Sequence, residues 1–205
     1  NSITSKDIAD MWIHEGFTTY TETVFIECVK GYDEAIKYVN GQSRSVRNDR
    51  PVIAQFGVNK EGSGDMYYKG ALMLNTIRHI INDDAKWWKL LYNYSETYKK
   101  QIIDTKTVID YFNKESGLDL TSVFNQYLTT TKIPKLVLSK TGNKLSYEWQ
   151  NVNTDFKMPV DIVINEKTIR LHPTTSKQET KIDKKIKLEN IQVKTNQFFI
   201  KVEKK

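Results

Sequence analysis

Few residues in this chain are equipped for catalysis. Histidine occurs three times, as His14, His79 and His172, and cysteine once, as Cys28. No two histidines stand one helical turn apart, so no pair can meet a single metal ion from one helix face. A single cysteine closes no internal disulfide and builds no cysteine-based zinc site. His14-Glu15 begins like the metal-binding pattern HExxH, but position 18 is Thr. What remains is carboxylate chemistry. Glu15 is followed seven residues later by Glu22, two turns along the same helical face. Taken by themselves these are ordinary helix glutamates, and the three histidines are structural or surface residues. Their setting says more. Residues 10–30 read as a helix, with Ile13, Phe17, Tyr20 and Val24 at i, i+4, i+7 and i+11. Glu15, Thr18, Thr19 and Glu22 fall on the opposite side, which Ile26 and Val29 continue, so both faces look buried at one end. A helix that buries a carboxylate-bearing face needs partners for those charges, the first sign of a site.

The elements around this helix follow from caps and periodicity. A short helix spans 32–40, opened by Asp33. Residues 41–63 are loop-like, with the Asn48-Asp49-Arg50-Pro51 turn and scattered glycines. Helices are expected over 65–82 and about 84–100. Another runs from a Thr105 cap to Glu115, ended by Gly117, and another from Asp119 to Leu128. After Pro134 the texture changes to alternating segments, Lys135–Lys140, Lys144–Gln150, Val160–Asn165, Thr168–His172, Lys181–Leu188 and Gln197–Glu203, separated by turn signals. Short strands at this spacing suggest an antiparallel sandwich. Charge divides at the same place. Before Lys132 there are 15 basic and 17 acidic residues, from there on 16 and 8, hence −2 and +8 within a total of +6. The basic part alternates lysines with apolar residues, as a solvated sheet face does. It has no arginine cluster and no RNA-binding aromatic signature, so nucleic acid is not expected as a partner. A 39% hydrophobic content supports a core. No run reaches the roughly 18 apolar residues of a membrane span. The first residues resemble no signal peptide, and the absence of an initiator Met suggests a processed or truncated chain.

The stretch from Asn1 to Glu22 resembles the zinc-ligand region of the aminopeptidase N family, thermolysin-like zinc peptidases of the gluzincin group. The family pattern places a glutamate eighteen residues after HExxH, within GNxVTxxDWxDxWLNEGFAxYxE. Asn1, Thr4, Asp7, Asp10 and Trp12 match its fixed positions, Glu15-Gly16-Phe17 matches EGF, and Tyr20 and Glu22 close the motif. Ile8, Ile13 and His14 replace the usual Trp, Leu and Asn. Tyr67-Tyr68-Lys69-Gly70 is similar to the family's YxKG, which aligns Tyr67 with the tyrosine that stabilises the transition state. Leu118-Asp119-Leu120, Phe124-Asn125-Gln126-Tyr127 and Ile133-Pro134 resemble the end of the family's catalytic domain. By the family spacing, the second histidine of HExxH would lie five positions before Asn1, so the chain is expected to be a C-terminal fragment lacking that helix.

This resemblance implies a multi-domain α and β protein. Residues 1–132 would be the all-helical C-terminal half of a thermolysin-like catalytic domain, and residues 133–205 a small antiparallel β-sandwich. It implies a zinc metallo-aminopeptidase acting on peptide substrates, with Glu15 as third zinc ligand beside two upstream histidines. An upstream glutamate would be the general base. Tyr67 would donate to the oxyanion, since a neutral phenol remains a donor at pH 7. Glu22 is expected to orient a zinc-bound histidine. Zinc belongs to the intact parent and is not expected to be retained by this fragment, which should be inactive alone. The alternative is a non-catalytic, peptidase-like scaffold or partner-binding module. A weaker one makes the +8 part a docking unit for an anionic surface. Oligomeric state is left open, and an exported, periplasmic location is slightly favoured over a cytoplasmic one.

Overall fold

The computed structural model describes residues 2–205; Asn1, matched above to a motif asparagine, lies outside the described residues. The chain forms two compact units, Asn1–Thr131 and Lys132–Lys205.

In the first unit, a short strand β1 (Ile3–Ser5) and a 3₁₀ turn (Ile8–Asp10) lead into α1 (Trp12–Lys30). Gly31, at φ +88°, ends α1 and admits α2 (Tyr32–Gly41). A 3₁₀ turn at Gln42–Ser45 and a long loop follow. The helix expected over 65–82 is broken. A 3₁₀ turn covers Gly64–Met66, Tyr67 sits at the junction, and α3 runs Tyr68–Ile81. Asn82 closes α3 in the left-handed region, and Asp83 caps α4 (Asp84–Tyr98) by accepting from the Lys86 amide at 2.9 Å. Strand β2 (Gln101–Ile103) pairs in parallel with β1, so this unit is not all-helical as expected. Then come α5 (Thr105–Ser116) and α6 (Thr121–Thr129). The cap of α5 is Asp104 rather than Thr105. Its carboxylate accepts from the Thr107 amide at 2.9 Å, and a carboxylate also suits the positive end of a helix. The last helix starts at Thr121, two residues later than expected, with Asp119 accepting from the Thr121 amide.

Aromatic rings fill the core of this unit. Phe17 stacks on Tyr94 at 4.8 Å, Phe112 meets Phe124 edge-on at 5.7 Å, and Tyr20 meets Trp87 edge-on at 5.8 Å. Ile13 and Tyr20 are buried and Phe17 and Val24 half-buried, so the apolar face read from the sequence does turn toward the core. The far end of α1 departs from expectation. Val29 is 55% exposed and Ile26 only half-buried, so the second face is not fully buried there. What holds that end is Arg78 of α3. Its guanidinium is buried and grips Glu27 of α1 through two bonds of 2.5 and 2.8 Å and Asp84 through one of 2.9 Å. It also lies over the Trp88 ring at 4.6 Å. A planar fork facing two carboxylates and an indole uses what distinguishes arginine from lysine.

The second unit contains β3 (Lys135–Thr141), β4 (Lys144–Gln150), β5 (Val160–Ile164), β6 (Lys167–Leu171), β7 (Gln178–Lys181), β8 (Gln192–Val193) and β9 (Lys201–Lys204). They form a four-stranded sheet in the order β7-β4-β3-β9 and a three-stranded sheet in the order β6-β5-β8. The sheets are not purely antiparallel, because β3 and β9 run parallel. The segment expected as a strand over 181–188 holds only the last residue of β7 and the first of a 3₁₀ turn. Inward residues are apolar, among them Leu136, Leu138, Leu145 and Ile162. Trp149 anchors this core, donating its indole N–H to the Met158 carbonyl at 3.0 Å and meeting Phe156 edge-on.

Candidate functional site

Several motif residues build the frame of the site. Asp7 caps the 3₁₀ turn by accepting from the Ala9 amide, and its other oxygen accepts from Gly57 N–H, both at 2.8 Å. Those two bonds hold its carboxyl below the usual range. Asp10 is buried and takes both the amide and the hydroxyl of Thr105, at 2.9 and 2.6 Å. Burial raises its pKa and the Thr105 bonds oppose that rise. The Trp12 indole donates to the same Thr105 hydroxyl at 2.7 Å. The start of α1 is thus fixed to the start of α5 by three hydrogen bonds to one threonine.

Glu15 lies in the first turn of α1 and Gly16 follows it. Gly70 lies in the first turn of α3. A Cβ added at Gly16 would stand 3.1 Å from the Met66 carbonyl oxygen and 3.4 Å from Gly70 Cα; one added at Gly70 would stand 3.0 Å from Gly16 Cα. The helices therefore cross backbone to backbone, at a separation that forbids a side chain on either. Glu15 precedes one glycine of this crossing and Tyr67 lies one turn before the other. The crossing brings them into electrostatic reach. Burial, then the Glu15 carboxylate, then Glu61 raise the Tyr67 pKa, so its hydroxyl stays protonated at neutral pH.

The strand of loop before Tyr67 is equally tied. Asp65 is buried and accepts from the Arg47 and Asn48 amides at 2.8 and 2.7 Å, and Ser63 donates to Asp49 at 2.5 Å. Lys69 is 1% exposed, and its ammonium donates to the Thr130 carbonyl at 2.8 Å, at the C-terminal end of α6. That end carries partial negative charge and suits a cation. Tyr67 is thereby held between two anchors while its ring remains more than one third exposed.

As for the other site candidates, Glu22 accepts from the Tyr38 hydroxyl of α2 at 2.5 Å. It shares with Tyr67 a cleft of about 690 Å³, also lined by Thr19, Lys37, Gln42 and Tyr68. Glu15 is not in that lining. The Glu15 carboxylate accepts no hydrogen bond from the described residues; His14 Nε2 stands 3.8 Å from it, too far for one. Burial depresses the His14 pKa against the opposing pull of Glu15. His79 is buried, its Nδ1 against the Asn75 carbonyl and its Nε2 against the Tyr32 hydroxyl, away from these groups.

The family relationship is visible by comparison with known proteins. Residues 1–127 match the model of the peptidase family M1 domain. This chain belongs to peptidase family M1. Over 218 aligned positions it is 23% identical to "Probable aminopeptidase 2" of Sulfurisphaera tokodaii, covering 96% of this chain and 27% of that protein. The fold is shared with the crystal structure of Legionella pneumophila aminopeptidase A in complex with aspartic acid. That match has a TM-score of 0.72 at 13% identity and covers 98% of this chain and 25% of the other. The chain therefore spans about a quarter of the length of these M1 relatives. Among its described residues no three His, Cys, Asp or Glu side chains are grouped to hold a metal ion. No described helix is long and apolar enough to cross a membrane. The M1 motif marks Glu15 and Tyr67 in the sequence. The crossing that joins them was legible only as glycines inside two helical patterns, a sign of close backbone approach. Gln42, in the cleft wall, carried no sequence signal.

Proposed function

We propose that this chain is the part of a zinc metallo-aminopeptidase that supplies one metal donor and the oxyanion donor for removal of N-terminal residues from peptides. The observation that carries this reading is the Gly16–Gly70 crossing, which sets the Glu15 carboxylate and the Tyr67 phenol within electrostatic reach of one another. Glu15 suits a metal donor: it is a partly exposed carboxylate committed to no hydrogen bond among the described residues. A single carboxylate fits zinc as one ligand of three, with the other two outside this chain's described residues. Bound zinc supplies a Lewis acid that polarises the scissile carbonyl.

The remaining chemistry in this chain is hydrogen bonding. Tyr67 keeps its proton and donates it, as a hydrogen bond, to the oxygen that gains charge when the carbonyl is attacked. Its anchored position spares the cost of orienting it at each turnover. Glu22 supports the metal side from two turns beyond Glu15 on α1, with Tyr38 fixing its carboxylate. The two sheets of the second unit are read as the faces of a small sandwich that follows the catalytic helices.

Tyr67→Phe in the full-length protein carrying this chain tests the assignment. It removes the donor and keeps the ring. The kcat for an aminoacyl-anilide should fall by about two to three orders of magnitude, with KM nearly constant. A loss of less than tenfold would reject the role.

A further inference from the structure

The cleft beside Tyr67 contains a polar group that the reaction chemistry leaves unused. Its walls come from Thr19 and Glu22 of α1, Lys37 and Tyr38 of α2, and Gln42 of the following 3₁₀ turn. Two of these groups are already engaged. The Tyr38 hydroxyl donates to Glu22 at 2.5 Å, and the Lys37 ammonium donates to Glu34 at 2.6 Å. Gln42 differs. It is 8% exposed, and neither its Nε2 nor its Oε1 makes a hydrogen bond among the described residues. It does approach the Tyr38 hydroxyl. Glu22 first and burial second raise the pKa of that phenol, and the Gln42 amide works in the opposite sense. The approach falls short of a hydrogen bond.

A buried carboxamide with both ends unsatisfied is costly, and few such groups survive in folded proteins without a ligand to meet them. A carboxamide offers donors and an acceptor in one plane, and its natural complement is another amide. Of the flanking groups, Lys37 is ion-paired with Glu34 and Glu22 is held by the neutral Tyr38 hydroxyl, so neither is free to meet the Gln42 carboxamide. The cleft is also of ordinary ligand-binding size.

We propose that this cleft is a substrate subsite in which the Gln42 carboxamide pairs with an amide of the bound peptide. Its direction rests on the aminopeptidase reading above. An enzyme that releases one N-terminal residue finds every other main-chain amide on the leaving side, so Gln42 holds the departing chain. The same chemistry could be offered by an Asn or Gln side chain of the substrate, and the experiment separates the two sources.

The test uses the full-length protein carrying this chain, with Gln42→Met, an unbranched near-isostere, and Gln42→Glu, which keeps the shape and loses the donors. Three substrates are compared: a tripeptide with Gly at positions two and three, one with Asn at position two, and an aminoacyl-anilide with no amide beyond the scissile bond. With a main-chain contact, KM for both tripeptides rises about tenfold relative to the anilide in either variant, with the kcat ratio unchanged. A side-chain source confines the loss to the Asn peptide. Unchanged ratios for both peptides overturn the proposal. A tripeptide whose first amide is replaced by a methyleneamine link cannot be cleaved but keeps its second amide, and calorimetric titration of it reads binding without turnover. If wild type binds it about tenfold tighter than Gln42→Met yet turns over neither the two tripeptides nor the anilide, the subsite stands and the aminopeptidase reading falls. Turnover with equal binding by both proteins removes the subsite and leaves that reading intact.

Discussion

At position 69 a lysine lies inside the protein with one carbonyl for company. Burial pulls its pKa from 10.5 to about 8, with Asp65 opposing. Below pH 8 the folded and unfolded states are both charged, and folding carries the full cost of desolvating the ammonium. Between about 8 and 10.5 the folded state has lost its proton while the unfolded chain still binds one, so this residue's contribution to stability improves as pH rises. Urea titrations of wild type and Lys69→Met across pH 7 to 10.5 should show the difference moving in favour of wild type through that window. A difference flat with pH would mean that the side chain is solvated. The M1 motif announces Lys69 by position, as it announces Glu15 and Tyr67. It does not announce what the lysine does, because its partner, the Thr130 carbonyl, is 61 residues away and is backbone. Gln42 is silent for a related reason. A glutamine at the end of a helix is ordinary until its neighbours are known.

At the scale of elements, the site depends on two helices approaching at Gly16 and Gly70. The atom facing a new Cβ at Gly70 is Gly16 Cα, at 3.0 Å, and that is backbone, which cannot rotate aside. Gly70→Ala should therefore push α1 and α3 apart and cost about 1–3 kcal/mol of stability. Activity should fall further than stability explains, because the carboxylate and the phenol sit on opposite sides of the crossing. Comparing residual activity with the folded fraction in urea checks this; activity that tracks the folded fraction alone would show that the crossing does not set the geometry. Gly31 illustrates what the sequence states openly, a helix end at positive φ. The break at Tyr67 is hidden, because 3₁₀ and α turns share nearly the same apolar spacing. The β1–β2 pair is hidden because three residues carry no period. The parallel pairing of β3 with β9 is hidden because alternation marks a strand and not its direction. Val29 looked like a core residue by spacing, and which neighbour covers a face is not written in the helix that presents it.

At the scale of the whole chain, the question is whether the described residues can hold zinc by themselves. A catalytic zinc site takes three protein ligands, commonly two imidazoles and a carboxylate. Here the carboxylate Glu15 has one imidazole beside it, His14, whose Nε2 lies 3.8 Å from Oε1. His14 immediately precedes Glu15, so the two side chains leave one helix about 100° apart, and two such groups cannot converge on one ion as residues four apart do. Burial favours the neutral imidazole, which could in principle ligate, but geometry withholds a second donor. The 205-residue chain should accordingly take up less than one equivalent of zinc in competition with a micromolar-affinity indicator, and Glu15→Gln should change that uptake little. Aminoacyl-anilide turnover with added zinc should be undetectable. Stoichiometric uptake that vanishes in Glu15→Gln would show that this quarter of the M1 architecture already closes a metal site, and the division of donors proposed above would have to be redrawn.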